Sequence, residues 1–284
     1  ISFGCPAFAL DSDGDGLPDE LEAAWGRNAL VKDNDIFASP SLFVMQQYRD
    51  LLAREADAVG LEAWAGQLRV ASTTRERLVE TFVASPEFQG RIAPVTRLYF
   101  AYFNRQPDTP GLSFWTGQAA AGMSLGNISD AFAQSDEFRT TYGALDNAGF
   151  VQRVYQNVLG RSADAAGLAY WRGEIDANRI SRGGLMVQFA GSAEYQTRIG
   201  PAVTVTLLYF GMLRRSPDTA GFEFWKQQVA AGASLQGLIT PFMSSTEYRA
   251  RFLGDARPAS MLLVVPELVR PEFLLEVEAI AAKS

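Results

Sequence analysis

Tyr155-Gln156-Asn157-Val158-Leu159-Gly160-Arg161-Ser162-Ala163-Asp164-Ala165-Ala166-Gly167-Leu168-Ala169-Tyr170-Trp171 is the stretch from which the fold can be read. Its tyrosine, arginine, aspartate, glycine and tryptophan recur at identical spacing as Tyr48-Arg54-Asp57-Gly60-Trp64, Tyr99-Arg105-Asp108-Gly111-Trp115 and Tyr209-Arg215-Asp218-Gly221-Trp225. A second block follows each tryptophan by about twenty residues: Phe82, Ser85, Glu87 and Phe88; Phe132, Ser135, Glu137 and Phe138; Phe189, Ser192, Glu194 and Tyr195; Phe242, Ser245, Glu247 and Tyr248. Chance does not place so many residue types in one register four times, so the chain is an internal repeat with a period near fifty residues.

The physics of the repeat is helical. Phe43, Tyr48, Leu51 and Leu52 fall near helical spacing, as do their counterparts. Arg54 and its equivalents close that helix where its dipole favours a cation. Asp57 and its equivalents are expected to N-cap the next helix, and Pro110 near one such start agrees. Gly60 and its equivalents would let two helices approach, and Trp64 and its equivalents would supply a large core anchor. Thr73, Ser124, Ser181 and Ser234 are expected to cap a third helix ending at Phe82, Phe132, Phe189 and Phe242. Ser85-Pro86-Glu87 reads as the start of a further short one. No alternating strand run is visible.

Upstream, Asp11-Ser12-Asp13-Gly14-Asp15-Gly16-Leu17-Pro18-Asp19-Glu20-Leu21-Glu22 has carboxylates at positions 1, 3, 5, 9 and 12 of a twelve-residue loop and glycine at position 6. Alternate side chains of a tight loop converge on one centre, and the sixth residue must turn sharply. Asp11, Asp13, Asp15, Asp19 and Glu22 are the candidate ligands, Leu17 adding its backbone carbonyl. Hard oxygen donors without Cys or His specify Ca²⁺ as the cofactor. Pro18 opens an exiting helix with Asp19 and Glu20 at its positive end, and Gly26 ends it. Asp33-Asn34-Asp35 forms a second acidic cluster; Asp33 and Asp35 are read as further ligands, against a plain Asx-rich turn. With Pro18 at position 8 and few residues before Asp11 in this sequence, a half-EF-hand without an entering helix is expected.

The expectation is an all-α fold: four tandem small helical bundles joined by short links, with an N-terminal calcium-binding loop. The divisions are an arm at 1–10, the loop and short helix at 11–36, repeats at 37–93, 94–144, 145–200 and 201–254, and a tail at 255–284. In the tail, apolar Met261–Val265 precedes an amphipathic stretch, Phe273 to Ala282, expected to pack on its own repeat. Ala7-Phe8-Ala9 has the form of an export cleavage site, set against an ordinary N-terminal arm.

Both motifs resemble known families. The loop is similar to the half-EF-hand loops of thrombospondin type 3 repeats, written D-x-D-x-D-G-L-P-D-x-x-E. The repeats resemble the DUF4214 family, whose signature is a tyrosine, then L-G-R-x-x-D-x-x-G-L-x-x-W, then F-x-x-S-x-E-F; Val158–Trp171 is the nearest copy. That resemblance implies a bacterial surface or secreted protein, and a distant similarity to phycobilisome linker domains, which organise assemblies.

Composition narrows function. The net charge is -7 and pI about 4.8, with no basic stripe for nucleic acid. Histidine is absent and Cys5 is the one cysteine, which removes His-based triads and any internal disulfide. No apolar run reaches the length of a membrane span. The repeated Asp and Glu could suggest a carboxylate glycosidase, but an active site need appear only once, whereas a folding residue appears in every copy. The expected function is a non-catalytic calcium-binding structural or scaffold protein of the cell surface or extracellular matrix. Its partners would be other surface proteins or copies of itself. The alternative is an adhesin-like glycan-binding module, against which an even burial of the tryptophans would count.

Overall fold

The computed structural model describes residues 10–253. The arm with Cys5 and Ala7–Ala9, and the tail from 255, lie outside the described residues. Among the described residues all regular structure is helical: α1 (Asp19–Ala24), α2 (Pro40–Leu52), α3 (Ala58–Arg69), α4 (Arg75–Ala84), α5 (Ala93–Phe103), α6 (Thr109–Ala120), α7 (Leu125–Ala133), α8 (Asp136–Tyr142), α9 (Asn147–Val154), α10 (Ala165–Asp176), α11 (Arg182–Gly191), α12 (Ala193–Leu208), α13 (Thr219–Ala230), α14 (Leu235–Ser244) and α15 (Thr246–Leu253). Single π-helical turns stand at Phe88–Ile92, Tyr155–Leu159 and Tyr209–Leu213.

Every residue of the repeated motif has a local mechanical role. Asp57, Asp108, Asp164 and Asp218 accept the N–H of the glycine three residues on, at 2.7–2.9 Å, so each N-caps its helix. That glycine is required because the repeat tyrosine's hydroxyl lies where its Cβ would stand, in all four modules. The repeat arginine forms a two-pronged ion pair with the glutamate of the second block: Arg54 with Glu87, Arg105 with Glu137, Arg161 with Glu194 and Arg215 with Glu247. Its Nη2 bond measures 2.9–3.0 Å throughout. The second-block serine accepts the N–H three residues on and donates to the phenylalanine carbonyl behind it. Together these bonds staple the end of a module's first helix to the start of its fourth.

The core of each module is aromatic. The repeat tyrosine meets the second-block phenylalanine edge-on at 4.8–4.9 Å. The tryptophan meets the same ring at 5.3–5.6 Å. Trp64, Trp115, Trp171 and Trp225 are each half-buried, so they cover the core's rim and are not the central anchor expected; Phe82 and Tyr48 fill the centre.

Two features were not anticipated. The modules alternate in kind. The turn after the second helix is left-handed at the same place in each, at Ala71, Gly122, Asn178 and Gly232, but modules 1 and 3 carry one more residue before the cap. The cap of α4 is therefore Thr74, not Thr73, while Ser124, Ser181 and Ser234 cap as expected. Helices also run through module limits. Pro86–Phe103 and Ala193–Leu213 are each continuous, with a π turn inserted, so the divisions at 93 and 200 fall inside shared helices. Between modules 2 and 3 the helix ends after Tyr142, and Asp146 caps α9 anew.

The four modules thus pack as one unit. α7 packs on α11, α4 on α14 and α5 on α12, which joins module 2 to 3 and module 1 to 4 around one shared core. Module 4 closes onto module 1 through Phe37, packed against Tyr248 and Phe252, and through a buried Asp50–Arg251 pair at 2.6 Å. The short links expected between separate bundles are replaced by this common interior. No described helix is long and apolar enough to cross a membrane.

Candidate metal centre

The loop before α1 is wound by its own aspartates. The N–H groups of Gly14 and Gly16 donate to the two oxygens of Asp11, at 2.8 and 2.9 Å. The N–H of Asp15 donates to Asp13 Oδ1 (3.0 Å) and that of Leu17 to Asp15 Oδ1 (2.8 Å). Gly16 holds φ at +90°, and a Cβ there would strike the Gln46 amide; both facts exclude other residues. α1 then places Glu22 one turn beyond Pro18, whose carbonyl accepts the Glu22 N–H at 3.0 Å.

The downstream cluster folds back onto this loop. Asp15 Oδ2 accepts the N–H groups of Asp33 (2.9 Å) and Asn34 (2.8 Å). The Asn34 amide donates to the Asp15 carbonyl (3.1 Å) and to Gln46 Oε1 on α2 (2.9 Å). Arg49 donates to the Gly16 carbonyl at 3.3 Å. The loop is therefore docked on module 1 by two polar residues of α2.

Two overlapping groups of carboxylates result. One oxygen each from Asp11, Asp13 and Asp15 lie within 4.8 Å of one another, as do oxygens of Asp15, Glu22 and Asp33. Glu22 is fully buried, and neither of its oxygens has a hydrogen-bond partner among the described residues. Asp13 Oδ2 and Asn34 Oδ1 are buried and unpartnered in the same way. Burial pushes the Glu22 carboxyl up to about 7, helped by the charges of Asp13, Asp15, Asp33 and Asp11. Burial also raises Asp13, with Asp15 and Asp11 adding to it. Asp15 is raised by burial too, although its backbone N–H bonds oppose the change. Buried carboxylate oxygens left without donors are costly, and a cation bound among them removes that cost.

Of the residues singled out in the sequence, Asp11, Asp13, Asp15, Glu22 and Asp33 come together. Asp19 does not join them: its two oxygens accept from the Ser12 N–H (2.8 Å) and Ser12 Oγ (2.7 Å). Asp35 is likewise turned away, with Oδ1 accepting from the Ala38 N–H at 3.0 Å on the approach to α2. Leu17 has a fully buried side chain, which pins the loop to the interior. Asn34 and Gln46 were not anticipated. The sequence offered Asn34 only as the middle of an acidic run, and Gln46 is one of several polar residues on α2 with no pattern that marks it.

The profile of the DUF4214 family, described as a domain of unknown function, matches residues 36–92, 94–140, 129–199 and 202–252. No curated protein matches the chain.

Proposed function

Since the chain belongs to the DUF4214 family across its four modules, we propose that it is a non-catalytic, calcium-binding scaffold protein of the bacterial cell surface or extracellular matrix. The single observation that carries the calcium reading is Glu22: a fully buried carboxylate, both oxygens unpartnered, facing Asp15 and Asp33. Asp11, Asp13, Asp15, Glu22 and Asp33 would hold the ion, with Asn34 Oδ1 adding an amide oxygen. This all-oxygen, strongly anionic set suits Ca²⁺, and the loop is thrombospondin type 3-like in its first twelve residues. The ion would supply charge neutralisation and order, tying α1 to module 1.

The scaffold reading draws on the repeated motif. Its Asp caps a helix, its Arg and Glu pair with each other, and its Ser closes a turn. These groups are consumed in holding the fold, which disfavours the glycosidase reading. The extracellular reading fits the calcium reading: a site with the affinity of extracellular modules, roughly 10⁻⁴–10⁻³ M, would fill outside the cell. Partners would be copies of the chain or other surface proteins.

One observation favours the alternative, a glycan-binding module. Phe114, Tyr170 and Phe224 are exposed beside the tryptophans of modules 2, 3 and 4, and such rings can stack on sugars. The even half-burial of the four tryptophans, each against its own module's phenylalanine, speaks for structure instead. Purification with calcium or with chelator, followed by light scattering and electron microscopy, separates the readings. Defined oligomers or filaments that form in calcium support a scaffold. A monomer in both buffers that is retained on immobilised polysaccharide refutes it in favour of the alternative.

A further inference from the structure

The position just before the repeat arginine is left-handed in every module, with φ of 53° at Ala53, 49° at Asn104, 70° at Gly160 and 55° at Arg214. Each residue ends its module's first helix in the same way. Glycine is the residue suited to this backbone. Three modules meet the need with small or turn-favouring side chains. Module 4 alone places a long cation there, so Arg214 is not explained by the fold it shares with the others.

Arg214 lines a cavity of about 470 Å³ whose walls include Gly16 and Pro18 of the N-terminal loop, Leu51 of module 1 and Ser113 of module 2. The volume falls in the range of small-molecule sites. Three other arginines line it, and each is matched: Arg49 with Glu55 at 2.6 Å, Arg54 with Glu87 at 2.7 Å and Arg251 with Asp50 at 2.6 Å. No carboxylate among the described residues lies within ion-pair distance of Arg214. Its Nη2 makes one long bond, 3.3 Å, to Ser113 Oγ, and its guanidinium rests on the Phe210 ring at 5.0 Å. Burial holds its pKa below the ordinary arginine value, opposed in part by the charges of Asp50 and Asp11, which line the same cavity beyond ion-pair distance, as expected of a desolvated cation without a directly paired counter-charge. A second cavity, also about 470 Å³, has Phe100 where this one has Phe210, and there Asn104 stands in the place of Arg214. The second hollow carries its cations elsewhere on its walls, at Arg198 and Lys226, so what is particular to the first is a cation at the left-handed position itself.

We propose that the Arg214 cavity binds a small organic monocarboxylate of about monosaccharide size, with Arg214 donating to the carboxylate and Phe210 and Leu51 contacting the body of the ligand. A guanidinium with no directly paired carboxylate can take one negative charge, and its planar fork matches a carboxylate. The proposal goes beyond the scaffold reading and rests on the calcium reading only for the order of the loop wall.

The test is calorimetric titration of the full chain with sodium glucuronate, acetate, glucose and inorganic phosphate, in calcium and separately in chelator. Arg214→Gly is the informative variant, because Gly160 shows that the fold accepts glycine there; its melting temperature should be unchanged or higher. Glucuronate and acetate should bind saturably and glucose should not. Arg214→Gly should weaken glucuronate about tenfold or more, and Arg214→Lys should restore part of the loss. Wild-type affinity in Arg214→Gly, preference for phosphate, or no saturable carboxylate binding in either buffer would overturn the proposal. The wild-type and variant chains are compared within each buffer, so failure of the loop to bind calcium leaves the comparison readable.

Discussion

Lowering the pH from 8 to 6 should weaken calcium binding about tenfold, and Glu22 alone sets that figure. In the metal-free chain its carboxyl is held near 7, raised from an ordinary 4.5 by burial and by the neighbouring aspartates. A bound Ca²⁺ needs the carboxylate, so uptake below pH 7 must expel a proton. With a pKa near 7, about nine-tenths of the chains carry that proton at pH 6 and about one-tenth at pH 8; the apparent affinity falls by that ratio. A glutamate at its ordinary value would be ionised at both pH values and give no change. The sign also holds for stability. A carboxyl raised on folding favours the folded loop below its unfolded pKa, and that contribution is lost as pH rises through about 7. In chelator the loop should therefore be more ordered at pH 5 than at pH 8, and in calcium this trend should vanish. The assay is calorimetric titration with calcium at pH 6, 7 and 8, in two buffers of different ionisation heat, for the wild type and Glu22→Gln. The wild type should release close to one proton per chain at pH 6. Glu22→Gln should bind more weakly overall and show little pH dependence. A wild-type affinity that is flat from pH 6 to 8, with no proton released, would refute the reasoning.

In chelator at neutral pH, limited proteolysis should cut within residues 10–36 and spare the four modules; equal protection with and without calcium would count against the loop as a metal-ordered element. Gly167→Ala should destabilise by about 1–3 kcal/mol through overpacking against the Tyr155 hydroxyl, although helix propensity alone favours alanine by about 1 kcal/mol. Adding Tyr155→Phe should recover most of the loss, as read from thermal melts. Asp57→Ala should cost about 1 kcal/mol as a lost cap, and Trp64→Ala about 2–3 kcal/mol, below the full-core figure because the ring is half-buried; two equally harmless changes would contradict both assignments. Asp50→Ala should cost roughly 3–5 kcal/mol by stranding Arg251 in the interface of modules 1 and 4, whereas Asp50→Leu with Arg251→Met should stay close to wild type; denaturant unfolding distinguishes the two.

The loop and the repeats were legible for different reasons. Asp11, Asp13, Asp15 and Glu22 lie close together in the chain, so their convergence follows from local turn geometry and Gly16. Asp19 sits at a position that spacing alone also assigns to the ion, yet Ser12 offers it two donors at shorter cost, and nothing in the spacing registers that competition. Asp33 and Asn34 join the site through contacts eighteen and nineteen residues back along the chain, a distance over which sequence pattern carries little geometric information. Thr73 stands at the tryptophan offset of Ser124 and Ser234, whereas the cap of module 1, Thr74, stands at the longer offset of Ser181; the one-residue-longer path from tryptophan to phenylalanine in modules 1 and 3 is the sequence signal of that difference.

The four helical modules, the capping aspartates and the acidic loop could be read from the chain alone, because each depends on residues close enough along it for helical period and turn chemistry to bring them together. Recurrence in four copies supported the modules and their capping aspartates, whereas the acidic loop stands once. Only the tertiary structure decided that the Arg and Glu of the motif pair across 32 or 33 residues, that module 4 closes onto module 1, and that Arg214 faces a cavity instead of solvent. Those outcomes depend on which apolar faces meet, and many faces of similar composition could meet in this chain. The choice among them is made by shape and by the burial of particular charges, which a linear pattern of residue types does not encode.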